Sequence, residues 1–201
     1  MRLRHPDGQV FEFDAGALCL EFVFTGGEGH RARFEVLRSP ADVAAWAAAS
    51  RLGAAGVAAA DVAVSEAEFA ALRRLREALW TLTRAATAEA SDAGAGVADA
   101  VTLLNETARG AGPVPQLVGG RATWRRPVTG GQLAAEIARD AVRTFAEPTV
   151  RRLRRCAAPN CALAYVDTSR PGNRRWCSMQ RCGNRHKVAG FRQRHGAEEE
   201  A

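Results

Sequence analysis

The chain has 201 residues, of which 47% are hydrophobic and 25% charged, and it carries a formal net charge of +6. That is room for one sizeable core, or for one domain plus a small module, with a composition ordinary for a soluble globular protein. The N-terminal stretch MRLRHPDGQVFEFD lacks the apolar core of a signal peptide, and no run is long or apolar enough to span a bilayer. A secreted or membrane-embedded protein is therefore disfavoured, and a cytoplasmic one is expected.

In chain order, Val10, Phe11 and Phe13 suggest a short strand, and residues 17–24 fit either a strand or a buried helix. Ser39 and Pro40 start a helix over 40–51, with Ser39 as N-cap. Ser65 and Glu68 form a capping box that opens the clearest helix, 65–90, with Phe69, Leu72, Leu75, Leu79 and Leu82 as its apolar stripe. The segment SDAGAG ends it, and a further helix covers 97–109. Residues 116–126 read as a hairpin around Gly119-Gly120. Thr129 and Gln132 suggest a second capping box for a helix over 131–146, with Leu133, Ile137, Val142 and Phe145 on its apolar face. Pro148 opens a short helix to Arg155.

The pattern predicts an α+β protein: a mostly helical N-terminal domain with small β-hairpins, then a compact basic module. Residues 1–150 form the first unit, 151–196 the module and 197–201 an acidic tail. Charge follows this division. Residues 1–150 hold 16 basic and 18 acidic residues, whereas 151–201 hold 12 and 4. Such asymmetry points to a polyanion partner for the C-terminal end. Of the basic residues 27 are Arg and one is Lys, a bias a GC-rich genome also produces, so the placement says more than the count.

Four of the five cysteines, Cys156, Cys161, Cys177 and Cys182, lie in a C-x4-C-x15-C-x4-C pattern. Two close pairs separated by a hairpin-sized insert suit tetrahedral thiolate binding of one structural Zn²⁺. Two disulfides are the alternative, disfavoured in an intracellular chain, and an iron–sulfur cluster is another. Cys19, in an apolar run, reads as a small buried side chain. Between the pairs, Ala164-Tyr165-Val166 reads as a strand, SRPGN as its turn and Arg174-Arg175-Trp176 as the return strand. A helix then starts after Cys177, with Ser178 as its cap, and loop, hairpin and helix together make residues 151–196 a treble-clef-like zinc finger.

On that helix Arg181, Arg185 and Arg192 share one stripe, beside a metal-facing side with Cys182 and His186. Lys187 and Arg194 lie on the far side, and Arg174 and Arg175 extend the basic surface from the preceding strand. The nucleic-acid candidates are thus Arg174, Arg175, Arg181, Arg185, Lys187 and Arg192. His186 could substitute for a thiolate, with packing or a hydrogen bond to a ligand the simpler role. Gly183 lets the backbone approach a thiolate, and Asn184 could bond the hairpin.

The segments CAAPNC and RRWCSMQRCGNRHK resemble the CGNR zinc finger, whose tetrapeptide stands here as Cys182-Gly183-Asn184-Arg185. Upstream, LCLEFVFT (18–25) resembles the signature of the ABATE domain that accompanies this finger. The chain departs from that signature at Glu21 and Phe24, where the family usually carries Asp and Asn, which weakens a polar-site reading of the segment. The resemblance implies four zinc thiolates at the cysteines named above, a DNA-binding finger and a role in bacterial stress-induced transcription regulation. RNA or an acidic protein surface are the alternative partners for the same charge. Self-assembly and the effector of the N-terminal domain are left open. No enzyme is expected: four cysteines leave no open metal position, and no nucleophile–base set or phosphate loop stands out.

Overall fold

A computed structural model describes residues 1–5, 7–87 and 96–188. Among these residues roughly half are helical, and the strands form four two-stranded sheets. The class is α+β, as the pattern predicts. Among the described residues no helix is long and apolar enough to cross a membrane.

Strands β1 (Arg2–Arg4) and β2 (Val10–Glu12) form an antiparallel hairpin, of which the sequence pattern revealed only the second strand. Residues 17–24 resolve as helix α1 (Leu18–Val23), with all six residues buried. A helix this enclosed has no solvent to satisfy its first amides. Asp140 takes that part, accepting a hydrogen bond from the Cys19 amide at 2.8 Å. Glu21, 4% exposed, is neutralised by Arg51, whose Nε lies 3.0 Å from its carboxylate. Cys19 is fully buried and its thiol pKa is pushed up by burial, which fits the packing role.

Helices α2 (Pro40–Ala49) and α3 (Arg51–Ala54) follow, and Ser39 with Asp42 closes a capping box at the start of α2. The long helix α4 (Glu66–Thr87) buries Phe69, Leu72, Leu75, Leu79 and Leu82 at the expected steps. The 88–90 end of the expected helix and most of the SDAGAG stop lie outside the described residues. Helix α5 (Val97–Ala108) and helix α6 (Gly130–Phe145) pack against α4, and α1 packs against both α4 and α6. Ala134, Ala135, Ala138 and Ala141 line the buried side of α6, and small side chains there let neighbouring helices come close. Val142, read as part of that face, is 40% exposed instead.

One carboxylate joins the two main helices. Glu68 accepts from the Ser65 amide at 2.8 Å, as its capping box requires, and its other oxygen accepts from the Gly131 amide at 2.9 Å in the first turn of α6. Burial works against the charged form, but these amide bonds win and hold its pKa below the ordinary value. Thr129 and Gln132 close the second capping box. The β4 (Pro115–Val118)–β5 (Arg121–Trp124) hairpin turns at Gly119 and Gly120, both at positive φ, as a tight two-residue turn demands. Strands β3 (Val62–Ala63) and β6 (Val128–Thr129) pair in parallel.

The expected helix from Pro148 to Arg155 is corrected. A 3-10 turn (Thr149–Arg152) leads into strand β7 (Leu153–Arg155), which pairs antiparallel with β8 (Ala164–Val166). Local propensity yields to a tertiary partner here. Leu153 is buried between exposed arginines, and the Asp167 amide closes the ladder on the Arg152 carbonyl at 2.8 Å. Leu153, Tyr165 and Val166 belong to the same buried cluster as Phe11, Phe13 and the helices, so the C-terminal unit is docked on the rest. Gly16 sits at the seam with φ +76, and a Cβ there would lie 2.6 Å from the Val166 carbonyl oxygen. The Val166 amide in turn bonds the Ala15 carbonyl at 3.0 Å.

Candidate metal centre

Cys156 directly follows strand β7, and the chain loops through Cys161 before β8 begins. The Cys156 amide bonds the Leu163 carbonyl at 2.9 Å and the Cys161 amide bonds Ala158 at 3.1 Å, which folds the first pair into a tight knuckle. The insert does not return as the expected strand. The Arg174 carbonyl accepts from the Tyr165 hydroxyl at 2.8 Å, and the Arg175 carbonyl accepts from the Ala157 amide at 2.9 Å. Residues 174–176 are thereby pinned across the knuckle without a ladder. Asp167 holds the intervening loop: it accepts from the Ser169 hydroxyl at 2.6 Å and from the Ser169 and Arg174 amides at 3.0 and 2.9 Å. The Ser169 hydroxyl first, and these amides after it, keep its pKa low.

The second pair is brought together by a π-helical turn (Met179–Gly183), in which the Gly183 amide bonds the Ser178 carbonyl five residues back at 3.1 Å. Such one-residue expansions cluster at functional sites. Ser178 stands at the N-cap position, but its side chain makes no capping bond. Residues 184–188 continue as α-helix.

All four sulfur atoms lie within 4.8 Å of one another. Cys177 Sγ is 3.7 Å from Cys161 Sγ and 3.5 Å from Cys182 Sγ, and the Cys177 amide points at Cys156 Sγ from 3.4 Å. Zinc–sulfur bonds of about 2.3 Å in a tetrahedron set the sulfurs about 3.8 Å apart, whereas a disulfide needs about 2.05 Å. The geometry fits the metal, and all five cysteines are free thiols. Hydrogen bonds from the Cys161 and Cys177 thiols pull the Cys156 pKa down to about 2. The same contact pushes Cys161 up to about 12, Cys177 is pushed up by both neighbours, and burial raises Cys182. A divalent ion at their centre permits four thiolates.

The predicted basic residues divide by what they touch. Arg174 clamps the metal loop: its guanidinium donates to the carbonyls of Asp14 at 2.9 Å, Trp176 at 3.0 Å and Cys177, and it lies 3.9 Å from the Tyr165 ring centroid. Arg181 is 4% exposed, paired with Asp7 at 3.1 Å and Gln9, over the Phe11 ring. Both turn toward the N-terminal segment, where Arg181 is buried and Arg174 half-buried. Arg185, Arg175 and Lys187 are exposed, although Arg185 shares Asp7 at 2.8 Å. The Gln9 amide and Arg181 hold the Asp7 carboxyl well below its usual range. Arg192 and Arg194 lie outside the described residues. His186 stacks on Trp176 with centroids 4.8 Å apart, and the four-atom ligand set is cysteine alone. A Cβ on Gly183 would crowd Met179 Sδ at 2.6 Å and Trp176 at 3.3 Å, so the glycine makes room for these side chains, not for a thiolate. Asn184 is exposed and makes no side-chain hydrogen bond to the hairpin among the described residues.

Sequence reasoning passed over Arg151, Arg152, Arg154, Arg155 and Arg170, which are also exposed on this unit. Reading 148–155 as a joining helix hid the first four, for which the run RRLRR was the available signal.

The site and its setting define a four-cysteine zinc finger docked on a helical domain. Residues 152–195 match the CGNR zinc finger family. Residues 16–148, more than half of the chain, match the ABATE family, described as "Putative stress-induced transcription regulator", and the chain belongs to that family. Among curated proteins, none matches it.

Proposed function

We propose that this is a zinc-stabilised DNA-binding protein of transcription regulation, in which the finger (151–196) contacts DNA and residues 1–150 sense a signal or assemble partners. One observation carries the reading. Between residues 151 and 188 the sequence holds ten basic residues and a single acid, Asp167. That acid is 1% exposed and consumed by internal hydrogen bonds, so no acid of this stretch offsets its outer charge; Glu147 and Asp7, from outside it, pair with Arg151, Arg181 and Arg185 and leave the other exposed arginines and Lys187 without an ion pair among the described residues. Arg175, Arg185 and Lys187, with Arg154 and Arg170, are the contacts assigned to phosphate. The metal is structural in this reading and the protein is not an enzyme, since four thiolates fill a tetrahedron and leave no position for water.

The test is anisotropy binding to duplex DNA and to structured RNA over a salt series, with wild type and an Arg175→Gln/Lys187→Gln variant. Phosphate contact predicts a log–log salt slope on duplex DNA that falls by about 0.9 for each phosphate the variant no longer neutralises. Tighter binding to the RNA would move the assignment to RNA. Absence of salt-dependent binding to either would leave the finger as a protein-interaction module.

A further inference from the structure

A cleft of about 1170 Å³ is walled by the β1–β2 hairpin, the segment from Phe24 to Ser50, Trp80 of α4, and the finger. Its chemistry is lopsided in two ways. Six phenylalanine and tryptophan side chains line it: Phe11, Phe24, Phe34, Trp46, Trp80 and Trp176. The Trp46 indole N–H is buried and has no hydrogen-bond partner among the described residues. The cleft is also cationic. Two acids line it, and both are committed: Glu12 to Arg2 at 3.2 Å, and Asp42 to the Arg38 and Ser39 amides at 2.9 and 2.8 Å. Arg31, Arg181 and Arg185 in the wall are likewise paired, to Glu77 and Asp7. Arg4, Arg33 and Arg155 line the same cleft, are exposed, and form no ion pair among the described residues.

We propose that this cleft binds a planar aromatic organic anion, its rings on the tryptophan and phenylalanine faces and its carboxylate or sulfonate on the unpaired guanidiniums. Aromatic walls with a few convergent polar groups are the usual make-up of a small-molecule site. A guanidinium fork suits a planar two-oxygen anion, and rings stack favourably on indole and phenyl faces. The space accommodates a ligand of two or three rings. The assignment gives the N-terminal domain a ligand class, and it stands or falls separately from the partner of the finger.

The experiment uses the zinc-loaded full chain and two dyes of the same ring skeleton: 8-anilinonaphthalene-1-sulfonate, and N-phenyl-1-naphthylamine, which lacks the sulfonate. Fluorescence titration should show the sulfonate binding saturably near one equivalent and at least ten-fold tighter than the neutral dye. An Arg33→Gln/Arg155→Gln variant should weaken the sulfonate ten-fold or more and leave the neutral dye unchanged. Both positions are exposed, so its melting temperature should match wild type; should the double variant fail to fold, Arg4→Gln alone carries the comparison. Equal affinity for the two dyes, unaltered sulfonate binding in the variants, or no saturable binding overturns the proposal. So does stoichiometric displacement of the dye by a single-stranded 12-mer oligonucleotide, which would make the cleft a nucleic-acid channel. Duplex affinity measured in parallel reports on the finger alone.

Discussion

Serine at position 177 removes the sulfur on which the metal centre converges. Cys177 is 2% exposed, and its Sγ lies 3.7 and 3.5 Å from two other ligands while its amide faces the third. A serine hydroxyl is shorter and harder, and leaves three thiolates with no fourth soft donor. Zinc bound only by the folded state stabilises it by about 4 kcal/mol when free zinc is 1,000 times the dissociation constant. For a protein of this size each kcal/mol moves the melting temperature by about 2–4 °C. Cys177→Ser should therefore lower it by about 8–16 °C. Calorimetry of wild type and variant, each with and without a chelator, gives the comparison, with zinc content measured on the same samples. Chelation should carry wild type down to the variant's curve and leave the variant where it is. Leu153, Tyr165 and Val166 share one buried cluster with Phe11 and Phe13, so the loss should appear in one transition. A variant that keeps one equivalent of zinc and melts with wild type would refute the metal assignment. A separate low-temperature transition for the finger would refute the docking.

Three other outcomes follow from the geometry. Glu68→Gln leaves one oxygen to serve the Ser65 and Gly131 amides and should cost about 1 kcal/mol, within the range for helix caps. Because the folded Glu68 pKa is depressed, its contribution is full above the unfolded value of about 4.3 and disappears as pH falls through the folded one; denaturant melts of both proteins from pH 7 to 3 should converge at the acid end. Gly16→Ala forces a Cβ against the Val166 carbonyl at positive φ and should destabilise by about 2–4 kcal/mol by the same melts, from backbone strain plus the broken Val166–Ala15 hydrogen bond. Arg174→Gln should lower zinc retention against a competing chelator and cost about 2–3 kcal/mol, while the salt slope of nucleic-acid binding stays as in wild type.

The helices and the metal ligands were legible because their signals are local. Ser65 with Glu68, and Thr129 with Gln132, mark helix starts within four residues, and the C-x4-C pairs carry their chemistry in their spacing. What escaped depends on distant partners. Strand β7 exists because β8 pairs with it, and β1 because β2 does. The turn of Arg174 and Arg181 toward Asp14 and Asp7 spans 160 and 174 residues of sequence. A helical wheel sees the stripe shared by Arg181 and Arg185 but not the acid that meets both. The double duty of Glu68 was hidden for the same reason, since its second amide belongs to another helix.

The exposed charge of the finger has a chemical consequence of its own. Of the ten basic residues between 151 and 188, nine are arginine and one is Lys187. Guanidinium stays protonated at any pH a cell reaches, and acetylation acts on lysine amines. Acylation can thus subtract at most a single charge from this surface. If the finger holds a polyanion as proposed, ionic strength and rival polyanions set that grip, and the enzymes that edit lysines barely touch it.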